Sequence, residues 1–223
     1  MAEFDLIELI RARSRALDGG RDDIVLGIGD DAALLRVPAG HELVVTADTL
    51  NAGVHFPPDA TAADIGWKAL AANLSDLASM GARPAWCTLS LCLPQADAGW
   101  VAGFLDGFLE LAAAHGVALA GGDTTRGPLS IAVTAMGWVE AGAALRRDRA
   151  RAGDDIWVTG TLGDAAAALV LDGHMPWPGQ VPATPPDAGA DDRAFLADRL
   201  HRPTPRVEAG RAMLGLARAC VDV

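Results

Sequence analysis

Between residues 61 and 139 the chain switches repeatedly between two apolar periods, and this switching constrains the fold more than any other feature. Thr61 opens a stretch in which Trp67, Leu70, Leu74 and Leu77 recur at helical spacing, with Asp64 where a capping-box acid lies. Gly81 and Pro84 are expected to end that helix. Trp86–Leu93 then reads as a strand, and Val101, Phe104, Leu105, Phe108, Leu111 and Ala112 return to the helical period. Val117–Ala120 and Leu129–Val139 read as two further strands, joined by the turn Gly121-Gly-Asp-Thr-Thr-Arg-Gly-Pro128. With Leu43–Val45 upstream, the order is strand, helix, strand, helix, strand, strand. That order implies an α/β fold with helices on one face of a mixed sheet.

Both flanks extend the reading. Residues 3–18 form an expected helix with Phe4, Ile7, Ile10 and Leu17 on one side, ended by Gly19-Gly20. Ile24–Leu26 and Leu34-Leu35 read as short strands, and Pro38-Ala-Gly40 as a turn. A charged, aperiodic stretch near Arg146–Gly153 marks a boundary, dividing residues 1–149 from residues 150–223. Beyond it, Asp155–Thr159 is expected as a strand, Gly163–Leu171 as a helix and Val207–Ala217 as a last helix. Residues 173–192, dense in proline and glycine, read as an irregular loop. The second part is therefore expected to be an incomplete α/β domain, too small to bury a full core of its own.

Charge narrows the function. The net charge is −11 and Lys68 is the only lysine, which argues against a nucleic-acid backbone or an anionic membrane surface as partner. The N-terminus mixes acids with apolar residues at helical spacing, unlike a secretory signal, and a cytoplasmic location is expected. Cys87, Cys92 and Cys220 have no metal-ligand spacing; the first two read as small apolar side chains on opposite faces of a strand.

The acids gather where such folds build sites. Asp30 and Asp31 follow a Gly-Ile-Gly turn, Asp48 ends a strand, Asp76 lies on the central helix beside Asn73, and Asp123 follows Gly121-Gly122. Two carboxylates about 5 Å apart repel by about 3 kcal/mol at an effective dielectric near 20. A hard divalent cation removes that repulsion and leaves coordination positions for phosphates. Arg126, Arg146 and Arg147 offer guanidinium groups for phosphate, and His55 follows the Asp48 turn. Gly27–Ala32 matches G-x-G-x-x-A only weakly, since two carboxylates stand where a pyrophosphate would lie. No Walker loop, protein-kinase motif, serine elbow or Cys–His pair is present.

The runs Gly27-Ile-Gly-Asp-Asp31, Thr46-Ala-Asp-Thr49, Ala52-Gly-Val-His-Phe56 and Lys68–Ala78 occur in one order with Met80-Gly-Ala82, Gly121–Pro128 and Val158-Thr-Gly-Thr-Leu-Gly-Asp164. Together they resemble the thiamine-monophosphate kinase family of the aminoimidazole-ribonucleotide-synthetase-like superfamily. The resemblance implies transfer of the γ-phosphate of ATP to thiamine monophosphate, with magnesium as cofactor and no covalent phospho-enzyme. It implies metal ligation by Asp31, Thr46, Ala47, Asp48, Asp76, Asp123 and Asp222, with Asp30 ranked below Asp31 and Ala47 limited to its carbonyl. Gly122, Asp123 and Arg147 match nucleotide-contacting positions, and His55 matches a substrate contact. A homodimer whose N-terminal domains join in a barrel-like β assembly is implied as well. The family pattern continues past Val223, so the chain is expected to be a fragment, with little or no kinase activity if these residues act alone. Selenophosphate and purine-pathway synthetases are enzyme alternatives, although no reactive cysteine stands near Gly27–Asp31. A non-catalytic nucleotide-binding dimer module is the alternative from another class.

Overall fold

The computed structural model describes residues 3–18, 20–175 and 188–223, with the side chains of all of these except 3, 4, 16 and 18. A helix α1 (Glu3–Asp18) precedes a short antiparallel pair, β1 (Ile24–Leu26) and β2 (Leu34–Leu35). The main layer then follows as β3 (His41–Asn51), α2 (Ala62–Ser79), β4 (Arg83–Leu93), α3 (Ala98–His115), β5 (Ala118–Arg126) and β6 (Ser130–Glu140). A 3-10 turn at Arg147–Arg149 leads to α4 (Asp164–Leu171), α5 (Ala190–His201) and α6 (Val207–Ala212).

The four long strands form one mixed sheet in the order β3-β6-β4-β5. β6 runs antiparallel to both β3 and β4, so β3 and β4 are parallel with β6 inserted between them, and β5 is parallel to β4. Both crossovers, through α2 and α3, bury one face of that sheet. Leu70, Leu74 and Leu77 of α2 and Phe104, Leu105 and Phe108 of α3 have no exposed surface. Full burial of such a side chain contributes roughly 1.5–3 kcal/mol, so this layer dominates the stability. Thr61 caps α2 by accepting the Asp64 amide hydrogen, as the capping-box spacing predicts. The opposite face carries a smaller cluster of Ala85, Trp86, Ala118 and Ala120, and leaves Leu43 and Val45 about half exposed.

Two glycines set how closely α2 and α3 approach. A Cβ on Gly66 would lie 2.1 Å from the Phe104 carbonyl oxygen, and one on Gly107 would lie 1.9 Å from that of Ala63. No side chain fits at either point.

Several expectations are corrected. β5 does not stop at Ala120: residues through Arg126 continue it, because Gly121 and Gly122 keep pairing with Thr88 and Leu89 of β4. Gly122 permits this with φ +150 and no Cβ, which would otherwise sit 1.9 Å from the Leu89 carbonyl oxygen. α2 does end ahead of Gly81 and Pro84, but β4 starts at Arg83 instead of Trp86, with Pro84 its second residue beside a register shift. The buried face of α1 is Leu6, Ile10 and Ser14, one residue round from Ile7.

Asp155–Thr159 is not a strand: no described strand lies beside it, and Ile156 and Trp157 are almost fully exposed. The helix expected over Val207–Ala217 ends at Ala212, where Met213–Leu216 turn. Of the loop expected over 173–192, residues 176–187 lie outside the described residues, and Ala190 already starts α5. Beyond Glu140 the described residues contain helices and turns but no strand. α5 and α6 dock on α2, where the Trp67 indole donates to the Pro203 carbonyl (2.9 Å) and Arg202 binds Asp64 (2.6 Å) and Glu110 (3.1 Å). Among the described residues no helix is long and apolar enough to cross a membrane.

Candidate functional site

β3 alternates its side chains between the helix-covered face, with Val44, Thr46, Asp48 and Leu50, and the other face, with Leu43, Val45, Ala47 and Thr49. Thr46 and Asp48 therefore point toward α2, which presents Asp76 to them. The Thr46 hydroxyl donates a hydrogen bond to the Asp76 carboxylate. Asp48 is held above its ordinary value by partial burial and by the charge of Asp76, and His55 opposes that rise. Asp222 is also raised, first by partial burial of its carboxyl, then by Asp76, with Asp48 adding to the effect. Asp222 retains an exposed edge. Asp76 is therefore the nearest charged neighbour of its carboxyl. Asp76 is thus the common neighbour that couples Asp48 to Asp222, residues 174 positions apart in the sequence.

His55 stands on the turn after β3, exposed, with Nδ1 accepting the Asn51 amide hydrogen at 3.0 Å. With Nδ1 accepting, the proton of the neutral ring is on Nε2. Beside Asp76 on α2, Asn73 is fully buried; its Nδ2 donates to the Ala69 carbonyl (3.1 Å), and its Oδ1 has no partner among the described residues.

The remaining residues singled out from the sequence lie elsewhere. Asp48, Val133, Leu89 and Gly122 are Cα partners in one row across the sheet. Three strand spacings separate Asp48 from Gly122, about 14 Å. Asp123 lies one row on, exposed on the far edge strand. Asp30 and Asp31 are exposed on the turn after β1, where the Asp31 amide donates to the Asp30 carboxylate (2.8 Å). The guanidinium of Arg11 lies over Gly29 in the same turn. Ala47 is exposed on the opposite face from Asp48, with only backbone to offer. Arg147 is exposed on the 3-10 turn; its neighbour Arg146 is occupied by Asp148. Among the described residues no group of three or more His, Cys, Asp or Glu side chains is placed to hold a metal ion. The structure thus joins Thr46, Asp48, Asp76 and Asp222, with His55 nearby. Asp30, Asp31, Gly122, Asp123 and Arg147 make no side-chain hydrogen bond or ion pair with that group among the described residues.

Lys68 is a residue that sequence reasoning passed over. It sits on α2, half-buried, and burial lowers its ammonium below the ordinary lysine value. Its being the only lysine was the available signal.

Residues 29–139 match the family described as AIR synthase related protein, N-terminal domain. The chain belongs to this family, in the branch formed by the thiamine-monophosphate kinases. It is 46% identical over 222 residues to the thiamine-monophosphate kinase of Escherichia coli K12, covering 99% of this chain and 64% of that one. The crystal structure of thiamine-monophosphate kinase from Stenotrophomonas maltophilia K279a superposes with a TM-score of 0.82 at 60% identity, covering 98% of this chain and 66% of that one. The structure of AaThiL complexed with AMPPCP and TMP superposes with a TM-score of 0.70 at 30% identity, covering 97% and 64%. The chain therefore spans a little under two thirds of the length of these relatives.

Proposed function

We propose that this chain is the nucleotide-binding part of an ATP-dependent kinase that phosphorylates thiamine monophosphate to thiamine diphosphate. The observation that carries the reading is the placement of Asp48 beside Asp76, which Thr46 of the same strand face holds by a hydrogen bond, with Asp222 close enough to feel both charges. Carboxyls raised by burial and by one another gain from a hard cation, and an open set of two or three oxygens suits magnesium, which keeps positions for water and phosphate. When bound, magnesium supplies charge neutralisation for the phosphates. Thr46 holds Asp76 in orientation, and Asp48 and Asp222 flank it. Asp30, Asp31, Asp123 and the Ala47 carbonyl are further ligands in this reading, Gly122, Asp123 and Arg147 contact the nucleotide, and His55 contacts the acceptor.

No side chain in the cluster is a nucleophile. An oxygen of the acceptor phosphate forms the new bond to the γ-phosphorus in line, the bond from that phosphorus to the β–γ bridging oxygen breaks, and ADP leaves. The reading includes a cytoplasmic homodimer, supported by the half-exposed Leu43 and Val45 on the open sheet face. It also divides the chain into a metal, nucleotide and dimerisation unit over 1–149 and the start of a second domain over 150–223.

Calorimetry with AMPPCP, with and without magnesium, tests this beside chromatographic detection of thiamine diphosphate. Magnesium-dependent AMPPCP binding that disappears in Asp76→Asn is the expected result. Binding indifferent to both magnesium and Asp76 overturns the reading. Metal-dependent binding without turnover assigns the chain to a non-catalytic nucleotide module.

A further inference from the structure

Several arginines in the described part of this acidic chain are paired with carboxylates: Arg13 with Asp106, Arg21 with Asp23, Arg146 with Asp148, Arg202 with Asp64, Arg218 with Asp154. Two cations that line one cleft are not. The cleft, about 370 Å³, lies between α2 and the segments around Gly160, Arg206 and Asp222. Lys68 lines it from α2 and Arg206 from the start of α6, and neither makes an ion pair or side-chain hydrogen bond among the described residues. Arg199 also lines the cleft but is engaged by Asp164 (3.3 Å).

Three details give the cleft a chemical preference. Gly160 has φ +110, and a Cβ there would stand 3.2 Å from an Arg206 guanidinium nitrogen, so glycine lets that group lie close along the backbone. Ser75, Thr159 and Thr204 add hydroxyl groups to the wall. Asp222 also lines the cleft, so it opens directly onto the carboxylate cluster. Two unpaired cations, one of them half-buried at a cost to its charge, with hydroxyls around them, match a phosphate oxyanion better than an apolar or cationic ligand.

We propose that this cleft is a phosphate-binding subsite whose cationic ligands are Lys68 and Arg206. It deepens the phosphoryl-transfer reading and rests on it for the class of ligand: the phosphate of a polyphosphate or of a phosphate monoester. Lys68 acts as a point charge on α2, and Arg206 as a fork that spans two phosphate oxygens.

Metal-free titration of the chain with inorganic tripolyphosphate in one arm and thiamine monophosphate in the other tests the subsite. Wild type binds in at least one arm, and the arm that binds identifies the source of the phosphate. Lys68→Met and Arg206→Met each weaken that binding by roughly tenfold, and Lys68→Arg restores most of it. Far-UV circular dichroism confirms the fold of each variant, and Arg206→Met, on an exposed side chain, carries the test if Lys68→Met does not fold. Absence of wild-type binding in both arms, or binding in the variants as tight as wild type, overturns the subsite. Failure of the carboxylate reading has a different signature, since magnesium then adds nothing to AMPPCP affinity while metal-free phosphate binding persists.

Discussion

The hydroxyl of Thr46 donates to the carboxylate of Asp76, tying the edge strand β3 to the central helix α2 across thirty residues of sequence. The link keeps Asp76 turned toward Asp48 and Asp222 instead of toward solvent. A hydrogen bond to a part-buried charged group is worth about 1.5–3 kcal/mol. Thr46→Val, which keeps the shape and removes the donor, is expected to lower stability by about 1.5 kcal/mol in urea denaturation. An unchanged midpoint and slope would contradict the role given to this bond.

Helix packing makes a sharper stability prediction because three glycines differ only in what stands beside them. Gly66→Ala and Gly107→Ala press a methyl group into a backbone carbonyl oxygen, at 2.1 and 1.9 Å. Each is expected to cost about 3 kcal/mol by overpacking. Gly103, also on α3, has only the Ala62 methyl group at 3.4 Å. Gly103→Ala is expected to stabilise by roughly 0.5–1 kcal/mol through helix propensity. Equal effects at the three sites would refute the close contact of α2 with α3.

Acid titration probes how the last helices are held. Burial alone would raise Asp64, but hydrogen bonds from Arg202 and Thr61, with the Arg202 charge, bring it below its ordinary value of 3.8. A carboxylate whose folded pKa is depressed adds stability above its unfolded pKa and loses it as pH falls through the folded value. The chain should therefore lose roughly 0.5–1 kcal/mol between about pH 5 and pH 2 from this group, an amount limited by solvent screening. Asp64→Asn should remove that part of the slope in denaturation series across pH. A slope identical to wild type would show that Arg202 does not stabilise the ionised form.

Local rules made much of this fold legible. Thr61 with Asp64 announced the start of α2, and the stripe Leu70, Leu74, Leu77 announced its buried face. Asp48 and Asp76 were legible as site residues because one ends a run of alternating side chains and the other borders an apolar stripe. Their meeting with Asp222 was not written in any local pattern; it depends on how the last residues cross α2. The misreadings share a cause. Gly121-Gly122 looks like a turn, yet pairing with Thr88 and Leu89 carries the strand through it. Ile156-Trp157-Val158 looks like a strand, yet no described strand lies beside it. In both places the partner across the sheet decides, and no short window contains it. The cleft around Lys68 and Arg206 was hidden for the same reason, since its walls are 138 residues apart.

The carboxylate cluster is tested most directly by manganese(II) as a paramagnetic substitute for magnesium, titrated by electron paramagnetic resonance with and without AMPPCP. If Asp48, Asp76 and Asp222 hold the ion against nucleotide phosphates, AMPPCP should raise manganese affinity at least tenfold in wild type, and Asp76→Asn should abolish that gain. An Asp76→Asn variant that binds manganese and AMPPCP together as tightly as wild type would contradict the account.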